Sequence, residues 1–116
     1  MSNDTYISFY LYSFRIHVFS KTIQDVGNPE FIRFLMREDG KSIIMEAYDK
    51  KDFRSHRVKK RTNGSTGVEI SSMPLCRLLQ NVLNWEDGKS YRIPGKSYPT
   101  QKLAVFDLTA AEIING

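Results

Sequence analysis

One cysteine, Cys76, is all the thiol chemistry in this chain of 116 residues. A lone thiol excludes an internal disulfide and a Cys-rich zinc centre, and it fits a reducing cytoplasm. Histidine is nearly as scarce. His17 and His56 have no spacing that suggests a shared metal ligand set, so no metal site is expected. Gly64-Ser65-Thr66-Gly67 lacks the Gly-Lys-Ser/Thr ending of a phosphate loop, and no Gly-x-Ser-x-Gly nucleophile motif occurs. The acidic pairs Glu38-Asp39 and Glu86-Asp87 fall in turn-like stretches, where carboxylates are ordinarily just solvated. No enzyme, no cofactor and no small-molecule substrate is therefore expected. Long apolar runs are missing too. Residues 6–19 are rich in Phe and Tyr, but Ser8, Ser13, Arg15 and His17 interrupt them and no basic stretch precedes them. Neither a signal peptide nor a membrane span is indicated.

What the chain does have is a balanced composition, 41% hydrophobic and 26% charged, which suits one globular domain with a single modest core over residues 1–116. Its second half repeats the plan of the first. The strand-like run Arg15–Phe19 leads into a short apolar turn (Ile23, Val26, Gly27). Then come a strand at 31–35, an Asp39-Gly40-Lys41 turn and a return strand at 43–47. Asp-Gly between two β-rich runs is a strong hairpin signal, because the turn needs positive φ. Residues 68–70 are strand-like again and lead into a helix. There Leu75, Leu78, Leu79, Val82 and Leu83 recur at i, i+3, i+4, i+7 and i+8, as a stripe facing a core. Ser72 or Met73 starts that helix, with Pro74 tolerated in its first turn. Strands at 91–93 and 103–108 follow, separated by an irregular connection. The expected fold is therefore α+β and β-rich, a small pseudo-symmetric barrel of two strand-helix-hairpin units. Residues 15–49 form unit one and 68–108 unit two. Residues 1–14 are read as an N-terminal arm and 109–116 as a tail.

Charge is concentrated between the units. Lys50, Lys51, Arg54, Arg57, Lys59, Lys60 and Arg61 stand against Asp52 alone, a local +6 in a chain of net +4, so the remainder is slightly acidic at −2. Residues 50–67 are read as a basic connector. A charged linker is often simply a wet loop. The functional alternative is phosphate binding, since Lys and Arg release condensed counterions on meeting a polyanion. Phe53, His56 and Tyr48 lie in or beside the run, so stacking on unpaired bases is available. Membrane-surface binding fits poorly, because the run has little apolar surface to insert.

The second unit also resembles a known family. Val68-Glu69-Ile70-Ser71, a short helix, and Leu83-Asn84-Trp85-Glu86-Asp87-Gly88-Lys89-Ser90-Tyr91-Arg92-Ile93 look like the swapped-hairpin group. That group includes AbrB-type transition-state regulators, MazE-type antitoxins and MraZ. Its members carry a strand, a short helix closing on Leu-Gly-(Trp/Leu)-x-x-Gly-Asp, and a hairpin. Here Asn84 replaces the usual Gly and Lys89 the usual Asp. Val26-Gly27-Asn28-Pro29-Glu30-Phe31-Ile32 is a parallel fragment in unit one. The matches cover roughly residues 15–108. The resemblance implies a barrel and, from the family's basic residues near the first strand, a role for Arg15 and Lys21.

These readings converge on a small non-catalytic regulator of transcription that binds nucleic acid, DNA by preference. Lys50, Lys51, Arg54, Arg57, Lys59, Lys60 and Arg61 would contact phosphates, with Arg15 and Lys21 in support. A homodimer is compatible with this. The second reading is a protein–protein adaptor or antitoxin-like partner that docks through the aromatic N-terminal arm.

Overall fold

A computed structural model describes residues 4–58 and 67–114. Nine strands and two α-helices are present among them: β1 Asp4–Tyr10, β2 Arg15–Phe19, α1 Ser20–Asp25, β3 Phe31–Met36, β4 Ser42–Tyr48, β5 His56–Arg57, β6 Gly67–Ser71, α2 Met73–Leu83, β7 Ser90–Tyr98, β8 Leu103–Asp107 and β9 Glu112–Ile114. Eight strands follow one another in the order β5-β3-β4-β8-β7-β1-β2-β6, a nearly closed antiparallel barrel, and β9 pairs with β7 beyond the end of β8. The β-rich α+β barrel expected from the sequence is what forms.

Alternation decides which side chains fill it. Ile7 and Phe9 of β1, Ile16 and Val18 of β2, Ile43 and Met45 of β4, and Ala104 and Phe106 of β8 all point inward and are fully buried. This is the period-2 pattern of strands with one face on a core. Trp85 closes part of the core, with its ring tilted against Phe9 at 5.8 Å and stacked on Tyr91 at 4.3 Å. The Tyr91 hydroxyl accepts from the Glu86 amide at 2.9 Å, so its polar end is satisfied.

Several expectations need correcting. Residues 4–14 do not form an arm. Asp4–Tyr10 is an interior strand paired on one side with β2 and on the other with β7. Its Ile7 and Phe9 gain more from burial than an extended arm could offer. The connector is not wholly a linker, because His56–Arg57 pairs with Ile32 and Phe31 as an edge strand. The run around Pro94-Gly95 is not irregular, since β7 continues through it. Pro94 falls where the neighbour of β7 changes from β9 at Ser90–Arg92 to β8 from Gly95 onward, and a residue without an N–H is tolerated at such a break. At Gly95 a Cβ would lie 2.4 Å from the Val105 carbonyl oxygen, so only glycine permits that strand contact. The tail adds a single 3-10 turn, Leu108–Ala110, and then β9.

Helix α2 begins as expected. The Ser72 hydroxyl accepts from the Leu75 amide at 3.3 Å, Pro74 sits in the first turn, and Asn84 ends the helix in the left-handed region at φ 54°. Its buried stripe is narrower than the heptad pattern suggested. Cys76 and Leu79 are buried and Leu75 and Leu83 half-buried, but Leu78 and Val82 are 48% and 47% exposed. A helix laid on a curved sheet touches it along one line, so the outer members of the stripe stay in water. Burial also pushes the Cys76 thiol up to about 11, which leaves it protonated and inert as a nucleophile.

Candidate nucleic-acid interface

The first hairpin and the loop that follows it shape a surface groove of about 820 Å3. Phe31 and Tyr48, which face each other across β3 and β4, contribute aromatic surface. Four cations border it: Arg33 from β3, Lys50 and Arg54 from the loop, and Lys102 from the turn between β7 and β8. Three carboxylates border it as well, Glu30, Glu46 and Asp49. Arg33 donates to Glu46, and its guanidinium also lies 4.7 Å from the centre of the Tyr48 ring. That arrangement raises the Arg33 pKa, first through the Glu46 hydrogen bond.

The loop itself is built around Asp52. Its carboxylate accepts from the Tyr48 hydroxyl at 2.7 Å and from the Arg54 amide at 2.8 Å, and its amide donates to the Ser55 hydroxyl at 3.0 Å. The Tyr48 hydrogen bond is the largest of the effects that hold the Asp52 carboxyl below its ordinary range, and the same bond raises the Tyr48 phenol. The one acidic residue of the basic run is therefore spent on shaping the turn. Next to it Phe53 is 93% exposed, with the Arg54 guanidinium 5.3 Å from the ring centre.

Not all of the predicted phosphate contacts come together here. Lys50 and Arg54 line the groove; Lys51 is exposed on the same loop. Arg57 lies on β5 at 3.7 Å from Glu30, both largely exposed. Lys59, Lys60 and Arg61 lie outside the described residues. Arg15 and Lys21 do not line the groove. Arg15 sits on β2 and pairs with Glu69 at 2.9 Å, and Lys21 sits on α1 and pairs with Asp25 at 3.0 Å. Asp25 also accepts from the Ser97 hydroxyl. Burial alone would raise its pKa, but the hydrogen bonds from Ser97 and Lys21 outweigh burial and lower it. Arg15 and Lys21 are thus tied into local ion pairs, and surface pairs of this kind add little stability.

Arg33 and Lys102 are groove residues that sequence reasoning missed. Arg33 alternates with Ile32 and Phe34 on β3, so its outward direction was legible once the strand phase was known. Lys102 was not legible. It adopts φ 56° at the end of a 3-10 turn, and its side chain crosses to within 3.9 Å of where a Gly27 Cβ would stand.

Among the described residues no three His, Cys, Asp or Glu side chains are grouped so as to hold a metal ion. No described helix is long and apolar enough to cross a membrane. Comparison with known proteins yields no matching family model, no matching curated protein and no matching solved structure.

Proposed function

We propose that this protein is a non-catalytic nucleic-acid-binding regulator, with DNA the favoured polymer, and that it grips phosphates through residues 50–57 and the groove beside them. The observation that carries this reading is the exposed loop after β4. There Lys50, Lys51 and Arg54 stand in solvent around a fully presented Phe53 ring, and of the loop's two acids Asp52 is occupied by Tyr48, the backbone and a long 3.7 Å pair with Arg54, which leaves Asp49. Cations beside a bare aromatic ring suit a polymer that offers both phosphates and bases. Arg33 and Lys102 extend the positive lining, although Glu30, Glu46 and Asp49 temper it.

The swapped-hairpin architecture belongs to the same proposal. Its support is the pairing pattern. The two hairpins β3-β4 and β7-β8 meet through β4 and β8, and the strands that precede the helices, β2 and β6, pair with each other. Strand β1 precedes β2 and joins the second hairpin at β7, while β5 precedes β6 and joins the first hairpin at β3. An approximate two-fold axis that exchanges the halves would account for all of these contacts.

The test is fluorescence anisotropy with labelled duplex and single-stranded oligonucleotides at two salt concentrations. Replacing Lys50, Lys51 and Arg54 together with Ala should weaken binding and make the slope of log K against log salt shallower by about 2–3 units. An unchanged slope with unchanged affinity would make residues 50–57 a solvated linker. The adaptor reading would then be the one left, though it has lost its free arm to the barrel.

A further inference from the structure

A second depression, of about 450 Å3, lies on the outer face of β1, β7 and β8, and nothing in the phosphate-binding reading uses it. Tyr6 and Tyr98 line it and are 44% and 43% exposed. Pro94, in register with Tyr6, and Lys96 lie between them along β7. Pro94 and Tyr98 are four strand steps apart, so the backbone positions of Tyr6 and Tyr98 stand roughly 13 Å apart along the strand direction. The Arg92 guanidinium approaches the Tyr6 ring at 5.7 Å, and its Nε is buried without a hydrogen bond to any described residue. Among the described residues no carboxylate lies within ion-pair distance of Arg92, and the Tyr6 ring is its charged group's contact there. Two carboxylates border the depression, Asp4 and Asp107. Asp107 is engaged within the chain, accepting from the Thr109 amide and hydroxyl.

The depression adjoins the groove. Tyr98 and Lys102 are the two ends of the turn between β7 and β8, and each faces a different hollow. One row of the sheet joins them in register: Arg33 with Glu46, Glu46 with Leu103, and Leu103 with Tyr98. The middle of this row offers an apolar side chain and a carboxylate already paired with Arg33, so it repels a passing polyanion weakly.

We infer that the outer face of β1, β7 and β8 is a stacking platform for unpaired bases, and that a single strand held at Lys50, Arg54 and Lys102 continues over Leu103 to Tyr98 and Tyr6. This rests on the proposed nucleic-acid function and adds the form of the ligand. A duplex keeps its bases stacked inside and could not use exposed tyrosine rings. A single strand can, whatever its sequence, because every base has a π-face.

The experiment compares a labelled thymidine homopolymer single strand with a duplex of matched length, using the parent protein, Tyr6→Ala, Tyr98→Ala, and the Tyr6→Phe and Tyr98→Phe controls. Circular dichroism melts confirm that each variant is folded. The single strand should bind the parent more tightly than the duplex does. Each Ala variant should lose about tenfold in single-strand affinity, leave any duplex binding unchanged, and be rescued by Phe. If folded Ala variants bind the single strand like the parent while the Lys50/Lys51/Arg54 triple variant does not, the platform is wrong and phosphate binding stands. If the parent binds neither polymer, both proposals fall.

Discussion

Strand β1 and residues 50–58 both belong to the barrel, but with very different weight. By sequence the first resembles a loose arm and the second a linker, yet each supplies a strand. They differ in what they bury. Strand β1 carries Ile7 and Phe9 into the core, with Leu11 just beyond its end, and it has a neighbour on both sides. Residues 50–58 contribute two paired residues at one edge, and most of the rest face water. Membership of the sheet therefore says little about energetic weight. A strand stabilises a barrel through its inward side chains, and the polar segment is left available for contacts outside the fold.

The contrast can be broken most directly at Phe9. Phe9→Ala should cost about 3–5 kcal/mol in a urea melt, because the ring packs in a closed core against Trp85. A loss under about 1 kcal/mol would mean that β1 is dispensable and the arm reading was right. A proline scan sharpens the same point, read as the difference between two sites. Ser8→Pro, in a strand paired on both sides, should abolish cooperative unfolding, whereas His56→Pro at the edge should lower Tm only modestly. Equal effects at the two sites would contradict the difference in their pairing.

Acid should reveal the buried part of the second segment. Desolvation lowers the His56 pKa, and it lowers that of His17 against a smaller opposing pull from Glu69. The unfolded chain then binds protons more readily than the folded one below the ordinary histidine value of 6.5. The stability these groups contribute is present above pH 6.5 and is lost as pH falls through their lower folded values. Tm should accordingly fall between pH 7.5 and 5.5, and His56→Gln should flatten that slope. A parent Tm that is constant over this range would mean that His56 is solvated. The smallest effect is expected at the cations. Replacing Lys50, Lys51 and Arg54 with Ala should leave Tm unchanged within a degree or two, since the ion pair of Arg54 with Asp52 is long at 3.7 Å and exposed. A large drop would make the loop structural.

Local signals carried much of this architecture. Asp39-Gly40-Lys41 made its turn, with Gly40 at φ 69° and the Lys41 amide donating to Asp39 at 2.9 Å. Ser72, Pro74 and the 3.6-residue spacing placed α2, and the turn between two β-rich runs placed β3 and β4. These depend on neighbours a few positions away, and the sequence states them directly. The same residues did not say how far each face would be buried. Ile43, Ile44 and Met45 are consecutive and apolar, the pattern of a strand covered on both faces, but Ile44 lies on the outer face between Leu35 and Val105 and is only half-buried.

Residue order alone is enough to set the β-rich class, the first hairpin, the start and end of α2, and the concentration of positive charge after Tyr48. Each of these is set by backbone preference, side-chain period or composition, and none needs a distant partner. Tertiary structure alone decided that residues 4–10 are a wall of the barrel, that Leu78 and Val82 face water, and that Arg33 and Lys102 border the same groove as Lys50 and Arg54. It also placed Tyr6 and Tyr98, some 90 residues apart in the chain, around one depression. Such juxtapositions follow from strand order and register, and those are fixed by whichever pairing buries the most apolar surface across the whole chain.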